Sequence, residues 1–237
     1  MAEPQILMNL GLLGLCYLYI IGVILLSSRI KNSLPTNLSR KFLHIMIGNL
    51  CFIIPFFSFN TFPISFPFFV AVPFILLTFL FSPWSPVKLG EKISGLAEIT
   101  SGGHRFGLVL YAISYTVLAL FFSARPYIIA AGIFPMAYGD AAASLVGQKL
   151  GRHQYNVFGK KSFEGSFAMF AVCLLGLIIS LLFFSYLYPI SIVSFLFASL
   201  GVAAIATVCE AFTPRGFDNL TVPLLSAMAF LLLIGGI

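Results

Sequence analysis

Residues 1–26, MAEPQILMNLGLLGLCYLYIIGVILL, hold a single charged side chain, Glu3, in a run long enough to cross a bilayer. A spanning helix takes about 20 apolar residues. No basic segment precedes this run and no small-residue cleavage site follows it, so it is expected to stay as a first spanning helix rather than leave as a signal. Outward from it, apolar runs set off by charge, Pro or Gly recur near 5–27, 38–57, 64–82, 105–123, 126–147, 165–187, 189–209 and 220–236. The expected fold is all-α: a polytopic helical membrane bundle of about eight (seven to nine) transmembrane helices in one integral membrane domain, 1–237, with both termini outside.

Composition agrees. Of 237 residues 60% are hydrophobic and 8% are charged, with 27 Phe and a mean hydropathy of +1.06, where an average soluble chain carries about 25% charged residues. Eight spans would use about 160 residues, which excludes a separate soluble domain. The net charge of +6 forms no basic face on a soluble module, so nucleic acid is excluded as a partner. Its meaning is topological, because Lys and Arg gather in cytoplasmic loops. Arg29, Lys31, Arg40 and Lys41 fall between spans one and two, Lys88, Lys92 and Arg105 between three and four, Lys149, Arg152, Lys160 and Lys161 between five and six, and Arg215 between seven and eight; Arg125 alone falls on the other side. Six of the seven acids, all but Glu3, lie in or near the same loops. Cys16, Cys51, Cys173 and Cys209 sit in or at the ends of apolar runs without a C-x-x-C, and read as small buried hydrophobes with no disulfide framework. There is no internal repeat of the kind many transporters carry.

The densest stretch is 135–166, PMAYGDAAASLVGQKLGRHQYNVFGKKSFEGS. Asp140 falls about two turns before the end of span five, where a carboxylate is costly and a functional or paired role is the default. Ser144 and Gly147 follow at i+4 and i+7 on its helical face. An Asp that merely ties two helices together is the competing explanation. Gly159-Lys160-Lys161-Ser162 and Glu164-Gly165-Ser166 then open the next span. Lysines beside glycine-permitted turns suit an oligophosphate, and amides at the start of span six would direct partial positive charge at an anion. The spacing is not that of a Walker A loop. Ordinary interfacial anchoring competes for Lys160 and Lys161.

Three further clusters stand out. In 39–49, SRKFLHIMIGN, Arg40 and His44 share a face with Gly48, and Lys41 lies three residues before His44. Arg40 and Lys41 also fit a plain topology signal, whereas His44, one turn into the bilayer, is suited to binding phosphate, orienting a hydroxyl or moving a proton. In 209–223, CEAFTPRGFDNLTVP, Glu210 ends span seven, and Asp218 and Asn219 start span eight. Asp218 and Asp140 are the leading Mg²⁺ ligands, because Mg²⁺ takes hard oxygens with few protein donors; Asn219 is alternatively a helix cap. The loop between spans three and four holds Glu91, Glu98 and TSGGHRFG, with His104 and Arg105, and also reads as a solvated loop.

The ordered pieces SRKFLHIMIGN, TSGGHRFGLVLYAIS, YGDAAASLVGQKLGRH, GKKSFEGS and CEAFTPRGFDNLTVPL resemble the polyprenol kinase family, which includes dolichol, phytol and farnesol kinases, over roughly residues 38 to 230. The G-D-x-x-A-S-x-x-G and K-S-x-E-G-S pieces are the specific ones. They are also similar to the more distant CTP:phosphatidate cytidylyltransferases. That family's S-P-x-K-T and G-G-x-x-D-R-x-D-S are replaced here by GKKSFEG and RGFDNLTVP, which favours the kinase branch.

The resemblance implies phosphoryl transfer from a nucleoside triphosphate, CTP in the best-known members, to an isoprenoid alcohol. It implies a nucleotide and metal site at Gly139, Asp140, Ala143, Ser144 and Gly147. It also implies a phosphate-binding and catalytic segment at Lys160, Lys161, Ser162, Glu164 and Gly165, and a closing acidic turn at Asp218 and Asn219. Asp140 and Asp218 are expected to hold Mg²⁺ and Lys160 or Lys161 to neutralise the moving phosphoryl group, with Glu164, or else His44, as base. Expected partners are the lipid alcohol, the nucleotide and the bilayer, with a homodimer left open. The expected location is a multi-pass protein with its site on the cytosolic face, in a prokaryotic cell membrane rather than the endoplasmic reticulum or a plastid. A cytidylyltransferase, and a small transporter using Asp140 as a relay, are the alternatives.

Overall fold

Long apolar runs with few breakers give long helices, and α1 (Ala2–Lys31) is one. The computed structural model describes residues 2–31, 36–61, 64–80, 107–214 and 216–235. Two compact units divide it, 1–124 and 125–237.

In the first unit α1 is followed by α2 (Thr36–Gly48), two 3₁₀ turns (Asn49–Phe52 and Ile54–Phe56), a hairpin of β1 (Asn60–Thr61) and β2 (Ile64–Ser65), α3 (Phe66–Leu80) and α4 (Gly107–Phe122). The run expected to span 38–57 leaves α-helical geometry at Gly48 and continues in the 3₁₀ turns, where Pro55 supplies no amide donor. Cys16 and Ile20 of α1, Leu43 of α2, Cys51, Val70 of α3 and Tyr115 of α4 are among its buried residues. Ser27 and Ser39 fasten α1 to α2 by hydroxyl–hydroxyl contact at 2.8 Å, and the Ser39 hydroxyl donates to the Ser27 carbonyl at 2.7 Å.

In the second unit α5 (Pro126–Phe134) runs through one π-helical turn (Pro135–Gly139) into α6 (Asp140–Leu150); a hairpin of β3 (Gln154–Asn156) and β4 (Lys160–Ser162) follows, then α7 (Phe163–Leu187), α8 (Ile192–Phe212) and α9 (Asp218–Leu233). α6 packs on α7, α7 on α8, and α8 and α5 on α9, while the π turn touches α7, α8 and α9. Ile129, Phe134, Met169, Phe184, Phe195 and Phe230 fill the middle. Exposed apolar side chains such as Phe167, Leu182 and Phe197 lie outside, as lipid-facing side chains do.

The fold is helical, as expected, apart from two short hairpins; in the second, β3 and β4 pair antiparallel with Tyr155 opposite Lys161 and Asn156 opposite Lys160. Three residues between the strands, Val157 to Gly159, suffice to close the hairpin. Among the described residues four helices are long and apolar enough to cross a membrane, Pro4–Ser27, Pro126–Leu150, Phe163–Leu187 and Ile192–Phe212, while α4 and α9 are shorter apolar helices. The four cysteines are free; Cys16, Cys51 and Cys173 are buried and Cys209 is half-buried.

Candidate functional site at one end of the second unit

Asp140 is the first residue of α6 because of the π turn before it. Pro135 cannot donate to the preceding helical turn, and the Asp140 amide instead donates to the Pro135 carbonyl, five residues back. The expected regular helix over 126–147 is therefore interrupted by a wide turn immediately before the carboxylate. Asp140 is 9% exposed. Ser144, one turn further, accepts from Gln148 Nε2 at 3.2 Å.

Gly147 lies about 10 Å further along the α6 axis than Asp140, at 1.5 Å per residue. There the helix meets the start of α7 almost backbone to backbone. A Cβ on Gly165 would stand 2.9 Å from the Ala143 carbonyl oxygen, and one on Gly151 would stand 2.7 Å from Ser162 Oγ. Ser162 is the N-cap of α7, its Oγ accepting from the Gly165 amide at 3.1 Å. Gly139 is also close-packed, a Cβ there lying 3.1 Å from Met169 Cγ. In this geometry Gly139, Gly147, Ser162 and Gly165 are packed against protein, letting α6 and α7 approach.

The hairpin inserts Lys161 between α7 and α8. Its ammonium donates to Glu210 Oε1 at 2.7 Å and to the Glu210 backbone carbonyl, with the two side chains 14% and 10% exposed. A cation on a carbonyl in the last turn of α8 also opposes the negative end of that helix's dipole. Lys160, one residue away on the other strand face, is exposed. Glu164 turns back to the loop after α6, where its Oε1 lies 2.7 Å from His153 Nδ1 and its two oxygens accept the His153 amide at 3.2 and 3.3 Å.

After α8 the chain reverses through Gly216, whose φ of 96° suits glycine. Asp218 Oδ1 accepts from the amides of Gly216 at 3.1 Å and Asn219 at 3.0 Å, and Asn219 Nδ2 donates to the Gly216 carbonyl at 3.3 Å. Phe217, not Asn219, is the N-cap residue of α9. The Lys161–Glu210 contact thus ties the start of α7 to the last turn of α8, beside the turn into α9.

This chain is 34% identical over 223 residues to the phytol kinase of Synechocystis sp. (strain ATCC 27184 / PCC 6803 / Kazusa), covering 91% of this chain and 88% of that protein. It belongs to the polyprenol kinase family. No family model and no solved structure matches the chain. The family resemblance seen in GDAAASLVG, GKKSFEGS and the DN pair thus falls within the second unit, where Gly147–Ser162 packing joins the first two pieces and Lys161–Glu210 ties the second to the end of α8.

Arg40, Lys41 and His44 belong to the first unit, all on α2; Lys41 and His44 are buried. The His44 ring lies 5.1 Å from that of Tyr111, whose hydroxyl donates to the His44 carbonyl at 3.3 Å. Glu91, Glu98, Gly102, Gly103, His104, Arg105 and Arg215 lie outside the described residues, while Gly107, the last glycine of TSGGHRFG, is buried at the start of α4. Among the described residues no three His, Cys, Asp or Glu cluster as a metal site. Sequence reasoning assigned no role to Glu210 or His153. Glu210 carried a signal, as an acid in the last turn of an apolar helix; His153 carried none, because only the hairpin brings it to Glu164.

Proposed function

We propose that this chain is a membrane-embedded kinase that moves the γ-phosphoryl group of a nucleoside triphosphate, CTP first among them, onto the hydroxyl of an isoprenoid alcohol such as phytol. Family membership supports the lipid-alcohol kinase chemistry. The observation that carries the site is the buried Lys161–Glu210 contact, which links the GKKS segment to the end of α8 and the DN turn beyond it. Phosphoryl transfer needs charge neutralisation and in-line positioning more than covalent help from protein.

In this reading the alcohol oxygen attacks the γ-phosphorus, a new O–P bond forms, and the bond to the β–γ bridging oxygen breaks to release the nucleoside diphosphate. The alcohol proton passes to the Glu164 carboxylate, which His153 orients. Lys160, exposed, and Lys161, held by Glu210, offset charge developing on the transferred group. Asp140 and Asp218 are the residues that would hold Mg²⁺. Mg²⁺ takes few protein carboxylates and keeps water and phosphate oxygens in its shell. When bound it would neutralise the phosphates.

The shorter helices α2, α3, α4 and α9 would join the four long ones to make about eight crossings, with the phosphate site on the cytosolic side of a prokaryotic cell membrane. A substrate that never leaves the bilayer then needs only to bring its hydroxyl to the interface. Thin-layer analysis of purified protein with phytol, geranylgeraniol, farnesol or dolichol and with labelled CTP, UTP or ATP tests this. Label from the γ position should appear in an isoprenyl phosphate. Lipid that carries only α label would make the chain a cytidylyltransferase, and no labelled lipid with any donor would reject the kinase reading.

A further inference from the structure

Along α7 the exposed side chains Phe163, Phe167, Leu175, Ile179, Leu182 and Tyr186 recur at spacings of three, four and eight residues. They form one apolar stripe over the helix length, which in a spanning helix faces lipid. The β3–β4 hairpin sits at the top of that stripe, because the Tyr155 ring packs on Phe163 with centroids 5.0 Å apart, and the Tyr155 hydroxyl meets Ser166 Oγ at 2.6 Å. The tip carries two consecutive apolar side chains, Val157 at 44% and Phe158 at 60% exposed. Hairpin tips in water are ordinarily polar turn residues. Lys149 in the last turn of α6, Arg152 at the base of the hairpin and Lys160 at the start of β4 are exposed, and the nearby carboxylate, Glu164, is occupied by His153.

The geometry points to a membrane-docking hairpin: Val157 and Phe158 dip into the acyl–headgroup boundary while Lys149, Arg152 and Lys160 lie among anionic headgroups. Aromatic and apolar groups beneath a rim of cations suit that layer, and negative surface potential attracts such cations. The hairpin then continues the lipid-facing surface of α7 instead of projecting into water. This stands independently of the proposed reaction, although it would place Lys160 and Lys161 at the depth where a lipid hydroxyl surfaces.

The chain has one tryptophan, Trp84, so Phe158→Trp in a Trp84→Phe background gives a single reporter, with Ile179→Trp on the α7 stripe as a deep control. Reconstitution is into phosphatidylcholine vesicles with or without phosphatidylglycerol. The expected result for Phe158→Trp is blue-shifted emission, protection from iodide, and quenching by lipids brominated near the carbonyl more than near the chain end, the reverse of the control. Phosphatidylglycerol should strengthen the quenching, and Lys149→Gln with Arg152→Gln should remove that gain. Water-like emission quenched by iodide, or blue-shifted emission that no brominated lipid quenches, overturns the proposal; so does quenching indifferent to phosphatidylglycerol. Val157→Trp provides the same measurement should Phe158→Trp not fold.

Discussion

Asp140 stands at the end of a wide helical turn, almost buried, in a chain that keeps few acids in its apolar helices. Its replacement by Asn keeps size and hydrogen-bonding capacity and removes only charge, so Asp140→Asn should insert normally yet give no isoprenyl phosphate in the thin-layer assay. Normal product would remove Asp140 from the site. Lys161 and Glu210 make a sharper test because each holds the other. Removing one partner of a buried pair strands a charge at a cost of about 3 kcal/mol, whereas replacing both with apolar residues of similar size is close to neutral. Lys161→Met or Glu210→Leu should each lower the thermal midpoint in detergent, and the double variant should recover it. The double variant should still turn over at least a hundredfold more slowly, equivalent to about 3 kcal/mol of transition-state stabilisation. Recovery of both stability and rate would make the pair a structural staple and move the phosphate role to Lys160.

Elements carry the site through close approach. Gly165 lets α7 touch α6, and Gly165→Ala would place a methyl 2.9 Å from the Ala143 carbonyl; overpacking of this kind costs about 1–3 kcal/mol. Gly22 in α1 has nothing within 4 Å of such a methyl, so Gly22→Ala should be neutral or slightly stabilising. Parallel thermal unfolding of the two variants checks the contrast, and equal effects would refute the packing argument. Elements also show what the sequence could and could not reveal. Apolar runs located the helices, since length and composition suffice for that. The π turn was hidden because a helix with an extra residue per turn reads like any other helix around Pro135. The hairpin was hidden because its strands have three residues each, too few for an alternation to register. The glycines were visible, but whether they face a phosphate or a neighbouring helix is settled only by packing.

At the scale of the whole molecule, the ordered signature pieces were legible because each is local, while the contact that joins two of them spans 49 residues, between Lys161 and Glu210. Orientation rests on charge placement. Within the second unit Lys149, Arg152, Lys160 and Lys161 all precede or begin α7, and the connector from Tyr188 to Ser191 has no charge. With 25 residues, α7 rises about 37 Å, more than the roughly 30 Å hydrocarbon core, so its two ends are expected on opposite faces with the basic end inward. Asn156→Cys and Pro189→Cys flank that helix at exposed positions, and the native cysteines are buried or, for Cys209, half-buried. With Cys209 changed to Ala, a membrane-impermeant maleimide should label Asn156→Cys only in inside-out vesicles and Pro189→Cys only in intact cells. Labelling of both from one side would mean that α7 does not cross. The reverse pattern would leave the crossing intact but turn the kinase site outward, away from cytosolic nucleotide, and so defeat the proposed function on topology alone.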